Sequence, residues 1–292
     1  MSTLAIAGGS SASLGRALTA ALLSSRTSPA WNAVILSRSP NPPSWLRAMD
    51  PDSLRTQVRT VDYLSTESLT TALKGVHTVV SVTSAIDGTQ GTIQINLLKA
   101  ALEAGCKRFA PAQWGFGFRG WENVSSTKWA FEGVWEECEK HCGEIECARF
   151  NHGSFMNYIG HGIFPVPAKV DKDTLFEEMK KGGGYAAGED AAIQGLASMV
   201  GDTVTMGELV AHAEAVTGQK MQVKAITKAE VEKQMSELDE HNFMGMLWSE
   251  FRLAYIRDDE DEVILRPILN KLCPDVKPVS IRKFMETHWQ AI

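Results

Sequence analysis

Short apolar runs alternate with segments of helical periodicity along the first half of the chain. Strand-like runs occupy residues 3–7, 32–37, 57–63, 77–82, 108–111 and 145–150. Helical patterns lie between them at 13–25, 67–74, 90–104 and 126–141. Strands that alternate with helices favour a parallel sheet with right-handed crossovers. We therefore predict an α/β fold built on a doubly wound parallel sheet.

The second half has a different pattern, dominated by helices. Residues 205–218 form an amphipathic pattern with Met206, Leu209 and Val216 on its apolar side, and helical patterns follow at 228–238 and 243–256. A further exposed helix is predicted at 169–181. We predict a boundary near residue 150, with a sheet domain over 1–150 and a smaller, mostly helical region over 151–292. Some segments of that region are expected to return to the sheet.

Composition and charge exclude several classes of function. The 292 residues are 44% hydrophobic and carry a net charge of -6, without the basic face of a nucleic-acid-binding protein or a membrane-spanning apolar run. The chain starts directly in a strand pattern, so we expect a cytoplasmic protein. Five cysteines without a regular framework suggest reduced thiols. Cys138, His141, Cys142 and Cys147 lie close together in the sequence, but no Cys-x-x-Cys pair is among them, so no zinc site is predicted.

The turn after the first strand is typical of a dinucleotide site. Small residues there let backbone N–H groups approach a pyrophosphate, and the following helix N-terminus favours its charge. Gly15 stands where close packing leaves no room for a Cβ. A tight strand–helix turn without a ligand is the alternative. The predicted contacts in this turn are Gly9, Ser11, Ser13, Leu14, Gly15 and Arg16.

The end of the second strand indicates which dinucleotide is bound. Ser37 and Arg38 follow the strand, where NAD-binding proteins place an acidic residue on the ribose. A guanidinium pairs well with a 2′-phosphate, so NADPH or NADP+ is predicted, with help from Arg16. A solvated loop charge is the alternative for Arg38. Further cofactor contacts are predicted at the ends of later strands, from Asp62, Ser81, Thr83 and Gln113.

Four segments carry a family resemblance: residues 107–115 (KRFAPAQWG), 148–158 (ARFNHGSFMNY), 201–206 and 269–275. Together with the glycine loop and the strand end Leu36-Ser37-Arg38, they resemble the NmrA-like and isoflavone-reductase-like atypical short-chain dehydrogenases, particularly the fungal members of secondary metabolism. The resemblance implies an NADP-binding Rossmann domain and a small C-terminal domain over a substrate cleft. It implies either a reductase of aromatic compounds or an NADP-sensing regulator without turnover. It also implies that some fungal members take part in unusual cyclisations.

The chain departs from this family at two places. The family's catalytic lysine corresponds to a position near Glu132 or Gly133, and the nearest lysine is Lys128, about 6 Å away on the same predicted helical face. No Tyr-x-x-x-Lys pair occurs in the chain. The stretch between Tyr185 and Val200 is also shorter than the resemblance implies.

Three residues are candidates for proton transfer. Lys128 would donate a proton or polarise a carbonyl, Glu132 would act as an acid if buried, and His152 follows the sixth strand where the nicotinamide is expected. Their alternatives are a surface lysine, an exposed helix charge and a structural histidine. An apolar aromatic pocket is predicted from Gln113, Trp114, Phe116, Phe155, Met156, Tyr158 and Trp248, with core packing as the alternative for each.

These features together predict an NADP(H)-dependent oxidoreductase. Its expected substrate is a small, bulky aromatic or indole-alkaloid-type metabolite that accepts hydride at an iminium, enone or carbonyl carbon. An iminium needs no proton donor, which allows a redox-assisted cyclisation. The alternative is a non-catalytic NADP-sensing regulatory protein.

Overall fold

A seven-stranded sheet takes six strands from residues 3–151 and its seventh from Gly195–Ser198. The structure is a computed structural model and describes residues 2–25, 31–114, 124–151, 195–198, 200–223, 225–239, 242–255 and 267–289. The strands are β1 Thr3–Ala7, β2 Asn32–Ser37, β3 Thr56–Thr60, β4 Thr78–Ser81, β5 Arg108–Ala110, β6 Glu146–Asn151 and β7 Gly195–Ser198. Their order is β3-β2-β1-β4-β5-β6-β7, and β1 to β6 pair in parallel.

Helices cover both faces of this sheet. They are α1 Leu14–Ser24, α2 Ser44–Met49, α3 Thr66–Ala72, α4 Gln90–Glu103 and α6 Val134–Lys140, whereas α5 Ser125–Lys128, between α4 and α6 in the chain, belongs to the second of the two units described below. One core cluster includes Leu69, Leu97 and Phe109, and the other includes Leu18 and Trp45. Consecutive residues of β1 have no exposed surface, as expected of a strand covered on both faces. The predicted doubly wound α/β fold is confirmed.

The single helix predicted over 126–141 is wrong. The chain forms α5, leaves the helix at Trp129, and begins α6 only after Gly133, which adopts a left-handed conformation with φ of 75°. Glycine adopts this conformation without a Cβ penalty. Lys128 ends α5 and Glu132 lies in the connecting turn. The two residues therefore do not share a helical face, contrary to our prediction.

Contacts between Cα atoms divide the chain into two compact units. The described residues of the first are 2–25, 31–114, 130–150 and 195–197, and those of the second are 124–129, 151, 198, 200–223, 225–239, 242–255 and 267–289. The helices that follow in the second unit are α7 Met206–Thr217, α8 Lys228–Ser236, α9 Phe243–Tyr255, α10 Ile268–Leu272 and α11 Ile281–His288. The predicted helix at 169–181 lies outside the described residues.

The second unit has a small core of its own. Ala213 of α7 packs with Met285 of α11 and with Trp289, and all three are buried. Thr205 begins α7 with a capping box to Glu208. Met206, expected on the apolar side, is 46% exposed because it lies in the first turn and outside this cluster. Among the described helices, none has the length and apolarity that a bilayer span requires.

Candidate functional site

The glycine loop between β1 and α1 has no space for larger residues. A Cβ on Gly9 would lie 2.7 Å from the Ile6 carbonyl oxygen, and one on Gly15 would lie 2.7 Å from the Gly9 carbonyl oxygen. Gly8, which the sequence analysis did not single out, has φ of 75° and approaches the backbone of Thr83. The loop therefore folds tightly beneath the first turn of α1, which fixes the path of its backbone.

Free backbone N–H groups line the start of α1. The Ser11 hydroxyl accepts a hydrogen bond from the Gly15 N–H at 3.2 Å, and the side chain of the N-cap residue Ser13 makes no capping bond. Within the described residues, the N–H groups of Ala12, Ser13 and Leu14 make no hydrogen bond. N–H groups at a helix start form a favourable site for an anion. This arrangement suits a phosphate.

The end of β2 presents a positive charge. The Ser37 side chain is buried, and its hydroxyl accepts the Ser39 N–H at 3.1 Å, which turns the chain beyond the strand. Arg38 is exposed at this turn. Hydrogen bonds from Thr89 lower the pKa of Asp87, and the charge of Arg38 lowers it further. Ser37 and Arg38 lie at the carboxyl end of β2, as predicted. The Ser37 hydroxyl, however, is bonded within the turn.

Tyr63 connects the glycine loop to the end of β2. Its hydroxyl accepts the Gly8 N–H at 2.7 Å and donates to the Leu36 carbonyl at 2.9 Å. Burial raises the pKa of Tyr63 to about 12, so the hydroxyl keeps its proton at neutral pH. The neighbouring Asp62 is exposed, and its carboxylate accepts the Leu64 N–H at 2.9 Å. Sequence reasoning missed this role of Tyr63, because the contact joins residues that are far apart in the chain.

Buried polar side chains hold the ends of β4 and β5 together. The Gln94 amide donates to the Thr83 hydroxyl at 2.7 Å and accepts the Ala112 N–H at 2.9 Å. Ser81 has no exposed surface, and its hydroxyl lies 3.1 Å from that of Thr83. This burial leaves the Ser81 side chain no surface for a cofactor, so its predicted contact would need a rearrangement of the strand end. Gln113 is also buried, with 4% of its surface exposed.

The predicted pocket residues that the structure describes have internal partners. The Trp114 indole N–H donates to the Ser81 carbonyl at 2.7 Å, and its ring stacks on Phe150 at 5.4 Å between centroids. Trp248 is half-buried in α9 and meets Phe251 edge-on at 5.5 Å. Four further pocket residues and one catalytic candidate lie outside the described residues: Phe116, Phe155, Met156, Tyr158 and His152.

The two described candidates for proton transfer, Lys128 and Glu132, are both exposed. The burial that an acid role for Glu132 requires is therefore missing. In the second unit, the buried carboxylate of Glu250 accepts the Ser125 hydroxyl and the Ser126 N–H, the latter at 3.1 Å. Glu250 thus ties α9 to the start of the short helix that ends at Lys128, a contact that no sequence motif indicated.

All five cysteines are free thiols. Cys138 and Cys147 are buried side by side in the first core cluster, and the hydrogen bond between them, together with burial, raises the pKa of Cys138. In the part of the chain that the structure describes, no three His, Cys, Asp or Glu residues are grouped to hold a metal ion.

Comparison with known proteins supports the nucleotide site. Residues 9–128 match a family described as NAD(P)H-binding, which confirms the predicted nicotinamide dinucleotide cofactor. That match begins in the glycine loop and ends at Lys128. No curated protein sequence matches the chain significantly.

Solved structures with low sequence identity share the fold over almost the whole chain. A leucoanthocyanidin reductase–NADPH complex from Vitis vinifera has a TM-score of 0.69 at 15% identity, covering 98% of this chain and 99% of that one. An isoflavone reductase has a TM-score of 0.67 at 15% identity, covering 98% of each chain. An NADPH-dependent quinone oxidoreductase from Escherichia coli, complexed with NADPH, has a TM-score of 0.65 at 17% identity, covering 98% of this chain and 99% of that one. The chain is similar to these proteins in fold.

Proposed function

We propose that the chain is an NADP(H)-dependent oxidoreductase of the atypical short-chain dehydrogenase type. One observation supports the proposed preference for NADPH over NADH. Exposed Arg38 stands at the end of β2, where an acidic residue would select NAD, and the glycine loop lies beside it. The pairing of a guanidinium with a 2′-phosphate contributes roughly 1.5–3 kcal/mol.

The cofactor contacts divide between two parts of the sheet edge. The free N–H groups of Ala12, Ser13 and Leu14 would bind the pyrophosphate, assisted by the N-terminal dipole of α1. Arg38 would bind the 2′-phosphate, with Arg16 of α1 as a second positive charge. Because both contacts are electrostatic, binding should weaken as ionic strength rises.

The substrate is proposed to be a small, bulky aromatic compound. Two of the structures with the same fold are named for an isoflavone and a leucoanthocyanidin, which are aromatic. The edge-on pair Trp248 and Phe251 gives α9 an aromatic surface that is only half-buried. Aromatic side chains pack favourably on aromatic ligands. An indole-alkaloid-type metabolite of a secondary pathway fits this description.

The reaction proposed is hydride transfer to an electrophilic carbon. When bound, NADPH supplies the hydride and becomes NADP+. An iminium acceptor becomes an amine without taking up a proton, so the protein only has to bind and orient it. An enone or carbonyl acceptor also needs a proton, for which Lys128 is the described candidate. A cyclisation that follows iminium formation would use the same site.

A regulatory protein that senses NADP is the second candidate. The observation that favours it is the absence of a lysine near Glu132 or Gly133, where the family resemblance places one and where Glu132 presents an exposed carboxylate instead. Such a protein would bind the same nucleotide through the same loop and would distinguish NADP+ from NADPH.

Deuterium transfer from labelled NADPH separates the two functions. The purified protein is mixed with 4,4-dideuterated NADPH, which transfers deuterium from either face, and one of two probes, the N-methyl-3,4-dihydroisoquinolinium ion or chalcone. Absorbance at the nicotinamide band and product mass are measured. An oxidoreductase oxidises NADPH and gives product one mass unit heavier than that formed with unlabelled NADPH. No transfer to either probe, together with Kd values for NADP+ and NADPH that differ by about tenfold or more, supports the regulator instead.

A further inference from the structure

The Tyr63 hydroxyl occupies the place of a backbone hydrogen bond between β1 and β2. Ala7 stands opposite Leu36 in the parallel register, so the next bond along the ladder would run from the Gly8 N–H to the Leu36 carbonyl. The hydroxyl instead accepts from that N–H at 2.7 Å and donates to that carbonyl at 2.9 Å. The side chain thus extends the sheet bonding by one step while keeping the two strands apart.

Both ends of Tyr63 are fixed. Its side chain is buried, with 8% of the residue exposed, and it belongs to the core cluster that contains Leu36 and Leu69. Its backbone carbonyl accepts the Asn96 side-chain amide of α4 at 3.3 Å. The core therefore sets the position of the ring that carries the hydroxyl, and the Asn96 contact holds the Tyr63 backbone.

The separation that the hydroxyl maintains lies between the glycine loop and the turn that carries Arg38. Gly8 begins the loop that offers N–H groups to the pyrophosphate, and Leu36 precedes Arg38 by two residues. A direct N–H···O bond would bring the Gly8 nitrogen to about 2.9 Å from the Leu36 oxygen. Two bonds in series through the hydroxyl hold these atoms farther apart. The glycine loop and the turn at Arg38 are therefore farther apart than a direct Gly8–Leu36 hydrogen bond would place them.

We propose that Tyr63 is a positioning residue that sets the distance between the pyrophosphate loop and Arg38, and thereby the preference for NADPH over NADH. This inference rests on the proposed function. A nucleotide without the 2′-phosphate depends on the loop alone, whereas NADPH must reach both contacts at once. Losing the hydroxyl should therefore weaken NADPH binding more than NADH binding.

The test compares Tyr63→Phe with Thr56→Val. Each variant removes one hydroxyl from the β3 region. Thr56 is buried at the opposite end of β3, where its hydroxyl donates to the Asp50 carboxylate at 2.8 Å. The Kd values of NADPH and NADH are measured for both variants and the wild type by energy transfer from tryptophan. For Tyr63→Phe we expect the NADPH preference to fall by about fivefold to tenfold, as for one lost buried hydrogen-bonding group. Thr56→Val should retain the wild-type ratio.

Each outcome decides the inference. A Tyr63→Phe variant that weakens both nucleotides equally, or neither, overturns the positioning role and leaves the proposed function intact. A wild type that does not prefer NADPH overturns both. If the variant does not fold, amide exchange of the wild-type protein gives the decision by NMR. The Gly8 amide should exchange far more slowly than those of Ala12 and Ser13, and equal rates would overturn the inference.

Discussion

The carboxyl edge of the sheet and the segment from Ser125 to Lys140 differ in how they hold their functional candidates. At the sheet edge, the loop backbone is fixed by close contacts of Gly9 and Gly15, and Tyr63 bonds the loop to β2. In the other segment the helix is interrupted, and Lys128 and Glu132 are exposed to solvent.

This difference indicates where the protein restricts its geometry. Preorganised groups contribute most to binding and catalysis when packing holds them in place. The nucleotide side meets this condition and the described proton-transfer candidates do not. We infer that cofactor binding depends on groups that packing holds in place. Whether the reaction needs a proton donor depends on the substrate.

Lys128→Ala gives the largest expected effect, and only with one class of substrate. With chalcone, which needs a proton after hydride transfer, we expect turnover to fall by about a hundredfold, the usual contribution of a general acid. With the dihydroisoquinolinium ion, which needs no proton, turnover should stay within about twofold of wild type, since proton transfer contributes nothing there. Stopped-flow oxidation of NADPH measures both rates.

Glu132→Gln is the matched control for this comparison, because Glu132 is exposed in the adjacent turn. It should leave both rates unchanged. Equal losses with both substrates in Lys128→Ala would show that the lysine positions the substrate or cofactor, and no loss with either would assign it to the solvated surface.

Gly15→Val should weaken NADPH binding by about tenfold to a hundredfold, since overpacking of a fixed backbone costs about 1–3 kcal/mol. The new Cβ would lie within 3 Å of three backbone atoms of Gly9. Gly143→Val is the control, because a Cβ on Gly143 meets no atom within 4 Å. Fluorescence titration measures both. Unchanged affinity in Gly15→Val would show that the loop is not fixed as described.

The fold could be predicted from sequence where the pattern itself determines it. The consecutive apolar residues Ile35 and Leu36 favour a strand covered on both faces, and the strand–helix alternation then favours a parallel sheet; both residues are fully buried in the structure. The break before α6 could not be predicted in this way. Val134, Trp135 and Cys138 continue an apolar helical period, and nothing local shows that Gly133 adopts a positive φ.

Two local features of the candidate site could be predicted from neighbouring residues. The steric need for Gly15 and the exposure of Arg38 at a strand end both follow from neighbouring residues. The contacts of Tyr63 and Gln94 join segments that the fold brings together, such as Gly8 with Tyr63 across 55 residues. No periodic pattern in the sequence indicates such contacts, so only the structure could reveal them.

Thr205→Ala has the smallest expected effect and is confined to the second unit. It removes the capping box of α7, which should lower the free energy of unfolding by about 1 kcal/mol. Urea unfolding followed by circular dichroism measures this. Thr203→Ala, at an exposed position two residues earlier, should leave stability unchanged. NADPH affinity should match wild type in both variants, and a loss in Thr205→Ala would contradict the assignment of the cofactor site to the first unit.

Titration of NADPH and NADH into wild type and Arg38→Ala tests whether Arg38 selects the phosphorylated cofactor. Arg47→Ala, an exposed arginine on α2, is the control. We predict that wild type and Arg47→Ala bind NADPH at least about tenfold more tightly than NADH, and that Arg38→Ala binds both equally, through loss of a charge-assisted phosphate contact. Equal binding of the two nucleotides by wild type, or an unchanged preference in Arg38→Ala, would contradict the account.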